Sequence, residues 1–155
     1  MSTYQVTNVL ILVDGSETSS SALCSGLAIC QATGAIVTAL AVYKPPEDAS
    51  EPGSLAPPSG SSRELLLAAL DNAHRQAESW NVPVTTFLTE GDAERVVPDY
   101  AKDRDHDLIV LPLRNDVPTR ASHADAIWRI VADAHCPVMI ARAAVSRPGR
   151  GLALS

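Results

Sequence analysis

Nothing in this 155-residue chain approaches the run of ~18 apolar residues that a membrane span requires, so insertion into a bilayer is not expected. The opening residues lack a basic stretch and the apolar run at 9–13 is too short for a secretory signal, which points to the cytoplasm. Cysteine is scarce: Cys24, Cys30 and Cys136 are an odd number without framework spacing. Cys24 and Cys30 would lie on different faces of one helix, roughly 9 Å apart along its axis and too far to bridge. Reduced, buried small hydrophobes are the expectation, and they suit a reducing compartment. Positive charge is also short. A formal net charge of −6 argues against general nucleic-acid affinity, which needs a basic footprint. The one basic cluster, Arg142, Arg147 and Arg150, reads as a solvated tail. Glycine, finally, is absent between Gly91 and Gly149. A backbone cradle that converges N–H groups on a phosphate needs glycines, so that stretch of the chain is poorly equipped to build one.

What the chain does contain is apolar sequence of two alternating kinds. Short runs at 8–13, 35–42, 82–88, 107–113 and 138–141 are nearly continuous, as expected for strands buried on both faces of a parallel sheet. Between them, four segments follow the 3.6-residue repeat. Leu23, Gly26, Leu27 and Cys30 share one face of the first; Leu66, Leu70, Ala73, Ala77 and Trp80 share one face of the second. Ala93, Val96, Val97, Tyr100 and Ala101 mark the third, and Ile127, Ile130, Val131 and Ala134 the fourth. Ser16, the pair Ser61 and Glu64, Asp92, and the pair Ser122 and Asp125 supply capping signals for the four helices in turn. Pro98, several positions into the third, should kink or delay it. Segment 44–62, with five prolines, two glycines and five serines, cannot bury enough apolar surface to offset its ordering entropy and reads as a mobile loop.

The pattern predicts one α/β domain over residues 1–145 with a disordered tail at 146–155. Its architecture is a single-domain three-layer sandwich, flavodoxin/Rossmann-like, with four helices around a five-stranded parallel sheet of order 3-2-1-4-5. Ligands of such sheets sit beyond the carboxyl ends of the strands where strand order reverses, here between the first and fourth strands. That directs attention to Asp14, Gly15 and Ser16, and to 112–125. Asp14 could accept hydrogen bonds from a ribose or base, or bond its own backbone in a turn that Ser16 caps. Arg114 and Arg120 could hold an acidic ligand with help from Ser122 and the fourth helix N-terminus, or stand as two exposed arginines in an irregular loop. The four histidines form no metal-ligand spacing, and no nucleophile elbow, P-loop or dinucleotide fingerprint is present, so a catalytic role is not expected.

The segments NVLILVDGSETSSSAL, GAIVTALAVYKP, FLTEGDAERVVPDYAKDRDHDLIVLP and HCPVMIAR, in that order, resemble the universal stress protein family over residues 7–144. Members of that family that bind ATP carry a G-x-x-G-x9-G-[ST] motif after the fourth strand. Here Pro112 and Asn115 take the first two glycine positions, and Ala124 and Asp125 fall near the Gly–Ser pair in a loop one residue shorter. Asp125 would place negative charge beside the phosphates. The resemblance therefore implies a dimeric regulatory or adaptor module with a protein partner, lacking family-typical ATP binding. The alternative is an adenosine-nucleotide sensor, for AMP or ATP, whose contacts would come from Val13, Asp14, Val42, Arg114, Asn115, Arg120 and Ser122. The resemblance also implies a C2 homodimer through antiparallel pairing of the last strand, using Val138 and Ile140.

Overall fold

Residues 5–44, 59–113 and 120–142 are described by a computed structural model, in which strands and helices alternate in the expected order. The elements are β1 (Asn8–Leu12), α1 (Glu17–Thr33), β2 (Ile36–Tyr43), α2 (Ser59–Ser79), β3 (Val84–Glu90), α3 (Ala93–Asp103), β4 (Leu108–Leu113), α4 (Arg120–Asp133) and β5 (Val138–Arg142). All strand pairings are parallel, in the order β3-β2-β1-β4-β5. Strand alternation sends Val9, Ile11 and Val13 to one face of the sheet and Leu10 and Leu12 to the other. The first set packs with Leu23 and Leu27 of α1 and Ala73 and Ala77 of α2. The second packs with Val97 and Ala101 of α3 and Ile127 and Ile130 of α4. Burial on both faces is why β1 and β4 are apolar almost without interruption.

Gly26 lets α1 approach the sheet closely. A Cβ there would stand 2.9 Å from Cγ1 of the fully buried Ile11, and nearer still to its Cδ1. At the amino ends of the strands, Asp107 ties β1 to β4. Its carboxylate accepts from the Thr7 N–H (2.9 Å), the Thr7 hydroxyl (2.7 Å) and the Asn8 N–H (3.1 Å). Partial burial would raise its pKa, but these hydrogen bonds to the anion outweigh it and hold the carboxyl below its usual range. Beside it, His106 is buried, with Nε2 3.1 Å from the Thr38 hydroxyl and its ring stacked on Tyr100.

Four local expectations need correction. α2 begins at Ser59, so Ser61 is inside the helix instead of capping it, and the last residues of the segment read as a loop are helical. α4 begins at Arg120, which likewise puts Ser122 inside the helix. Asp92 occupies the N-cap position of α3 but makes no side-chain cap; its carboxylate pairs with the Lys44 ammonium at 3.0 Å. α3 is neither delayed nor broken by Pro98. The carbonyl of Asp92 already accepts from the N–H groups of Arg95 and Val96, so the helix is established before Pro98. The proline then forfeits a single bond, to the Glu94 carbonyl, while its ring is buried.

Candidate functional site

The order β2-β1-β4 puts the reversal of strand order between β1 and β4, and the two strands part early. Their pairing runs only from Val9↔Leu108 to Ile11↔Val110. The reason lies in Pro112. The Ile109 N–H bonds the Pro137 carbonyl, so odd residues of β4 turn their peptide groups to β5 and even ones to β1. Pro112 therefore presents β1 with a nitrogen that has no proton, and the ladder stops one pair short of it. The strands open there into the cleft that such sheets use for ligands.

On the β1 side of this cleft stands a closed turn. Oδ1 of Asp14 accepts from the Ser16 N–H (2.9 Å) and the Ser16 hydroxyl (2.6 Å). The Ser16 hydroxyl oxygen accepts from the Ser19 N–H (3.1 Å), capping α1, and the Ser19 hydroxyl accepts from the Asp14 N–H (3.1 Å). The turn needs Gly15 at φ +83°, where a Cβ would lie 4.0 Å from the Leu65 carbonyl oxygen of α2. One Asp14 oxygen is thus engaged in the turn, while the carboxylate as a whole is only half-buried. Val13 is buried, with its N–H on the Leu40 carbonyl, and Val42 is half-buried on the opposite face of the sheet, against the α3 and α4 layer. The Lys44–Asp92 ion pair links the ends of β2 and α3 on the same rim.

The structure thus brings Val13, Asp14 and Val42 to the carboxyl ends of two neighbouring strands. Arg114 and Asn115 lie outside the described residues. Arg120 opens α4 and Ser122 lies in its first turn. Asp125 is exposed and one turn further along, so Ala124 and Asp125 belong to the helix and not to a loop before it. Val138 and Ile140 are half-buried on β5, an edge strand.

A second concavity was not foreseen. A cavity of about 370 Å³ opens at the ends of β2 and β3, lined by Tyr43, Arg63, Leu88, Thr89 and Glu90. Its walls come from α2, which carries Arg63, and from the ends of β2 and β3. Among the described residues no group of three His, Cys, Asp or Glu side chains could hold a metal ion, and no helix is long and apolar enough to cross a membrane. The cysteines are free: Cys30 is buried and its thiol is pushed up to about 11 by burial, then by Asp107.

A doubly wound α/β domain whose β1–β4 pairing stops short at the reversal of strand order is what these features define. The family model described as the universal stress protein family matches residues 5–142, and the chain belongs to that family. Among solved structures it is similar to the universal stress protein UspA from Lactobacillus plantarum, at 26% identity and a TM-score of 0.67, covering 90% of this chain and 100% of that one. A family member from Burkholderia pseudomallei is 24% identical with a TM-score of 0.69, covering 86% and 94%. An Arabidopsis thaliana member with AMP bound is 17% identical with a TM-score of 0.66, covering 90% and 93%.

Proposed function

We propose that this chain is a non-catalytic regulatory or adaptor module of the universal stress protein family, cytoplasmic and dimeric, whose nucleotide loop has lost the capacity to hold ATP. The observation that carries this is Pro112. It ends the β1–β4 ladder at the first glycine position of the family motif, within the stretch without glycine between Gly91 and Gly149. Asn115 at the second glycine position and Asp125 near the serine act in the same direction, the one by restricting the backbone and the other by its charge. Restoring the motif tests this. The variant Pro112→Gly, Asn115→Gly, Asp125→Ser is expected to gain ATP affinity in a calorimetric titration. A folded triple variant that gains none would show that these positions do not explain the loss.

The rival reading is an adenosine-nucleotide sensor holding AMP or ATP through Val13, Asp14, Val42, Arg114, Asn115, Arg120 and Ser122. It is favoured by the AMP bound to the Arabidopsis relative and by the placement of Val13, Asp14 and Val42 around one rim. Nucleotide co-purifying with the protein would decide for it.

The dimer would be a C2 pairing of β5 with its copy. Because Pro137 gives its carbonyl to Ile109, the alternation of β5 turns the peptide groups of Met139 and Ala141 to β4 and those of Val138, Ile140 and Arg142 outward. Such an edge invites a partner strand. Sedimentation velocity of the full chain at micromolar concentration tests it, and a monomer would reject it.

A further inference from the structure

Trp128 is 62% exposed on α4, an unusual place to leave the largest apolar side chain. Its direction follows from chirality. Ile127 and Ile130 are buried against the sheet, and Val131 and Ala134 pack on the same cluster, which fixes the inward side of α4. At 3.6 residues per turn, Trp128 is rotated about 100° from Ile127. The β4–α4–β5 connection is a right-handed crossover. Viewed from the α4 layer with the strands pointing up, β5 lies to the right of β4 and α4 descends in front of them. In a right-handed helix descending there, the step from Ile127 to Trp128 turns from the sheet towards the right. Trp128 therefore projects past β5, on the flank away from α3, over the open edge of the sheet.

We infer that Trp128 anchors the contact between two copies of this chain on the α4 side of their paired β5 strands, an inference that rests on the dimer reading above. A two-fold axis through Ile140 and perpendicular to the sheet pairs the outward groups of Val138 with those of Arg142 in the second copy. It also keeps both α4 helices on the same face. The two α4 helices then flank the paired β5 strands on one face of the sheet, and Trp128 is the large side chain on the flank that each turns to the other. The pairing of five-residue strands alone also falls well short of the roughly 800 Å² per partner of a stable interface, which leaves the helix flank to supply contact area.

The experiment uses the full chain in a dilution series by sedimentation, with Trp128→Ala and Trp128→Phe beside the wild type. Since Trp128 is mostly exposed, its truncation leaves the fold of the monomer intact, as circular dichroism would verify. An interface anchor loses at least about 30-fold in dimer affinity on truncation to alanine, with the phenylalanine variant intermediate. A Trp80→Phe background leaves Trp128 as the only tryptophan, and its emission should shift to the blue as dimer forms. A dimer whose affinity is unchanged by Trp128→Ala, with Trp128 emission staying that of a solvated indole, would overturn this inference and leave the dimer standing. A wild-type monomer at every concentration would overturn both.

Discussion

Adding one methyl group at Gly26 tests how tightly α1 is seated on the sheet. In a solvent-exposed helix, Gly→Ala stabilises by about 1 kcal/mol through backbone entropy. Here the new Cβ would stand 2.9 Å from Ile11 Cγ1, closer to Cδ1, and 3.7 Å from Val110 Cγ2. Ile11 and Val110 are fully buried, so neither has room to move aside. Overpacking of this kind costs about 1–3 kcal/mol. Set against the propensity gain, the net loss should be about 1 kcal/mol, or roughly 2–4 °C in Tm for a domain of this size. The second half of the test is rescue. Ile11→Val removes the δ-methyl that makes the tighter contact and alone costs about 1 kcal/mol. The Gly26→Ala, Ile11→Val double variant should then lose clearly less than the sum of the singles, a coupling of roughly 1 kcal/mol in urea denaturation. Neutral or stabilising Gly26→Ala, or strict additivity, would refute the claimed close approach.

Two further outcomes follow from the titratable groups. Burial lowers the pKa of His106, outweighing the Ala101 carbonyl and Asp107, which favour the cation; Arg104 and His135 act with burial. The unfolded chain then takes up a proton near pH 6.5 before the folded one does, so stability should fall as pH drops through about 6.5 and level off below the folded pKa. His106→Asn should flatten that slope in urea unfolding measured from pH 8 to 5. Among the thiols, exposed Cys24 should react with a maleimide or disulfide reagent at pH 8, while buried Cys30, with its pKa pushed up to about 11, stays unmodified until the protein is unfolded. Fast labelling of Cys30 in the folded state would contradict the packing of α1.

Much of this fold was legible because its strands are sandwiched. Where both faces are covered, as in β1 and β4, apolar continuity survives in the sequence and marks the strand. β3, an edge strand, alternates between half-buried and exposed residues, and its boundaries came out displaced for that reason. Helix starts were less legible. α2 begins within a proline- and serine-rich stretch, upstream of its own apolar repeat, so the pattern located its middle and not its beginning. The carboxylate of Asp92 was claimed by Lys44, a partner brought near only by the pairing of β2 with β3. At the site, the structure shows the turn reading of Asp14, whose Oδ1 accepts from the Ser16 N–H and hydroxyl at the end of β1. The cavity beside Arg63 and Glu90 had no local signal, because its walls come from α2, β2 and β3.

The central claim, that Pro112 and its glycine-free surroundings leave the family's cleft unable to hold ATP, is most directly tested by calorimetric titration. The full wild-type chain, freed of any co-purified nucleotide, would be titrated with ATP and then with AMP. No heat of binding from either, in a folded dimer, is the result expected of an adaptor. A micromolar dissociation constant for ATP, about −8 kcal/mol, would contradict it and make the stretch from Arg114 to Ser122 an unconventional phosphate site.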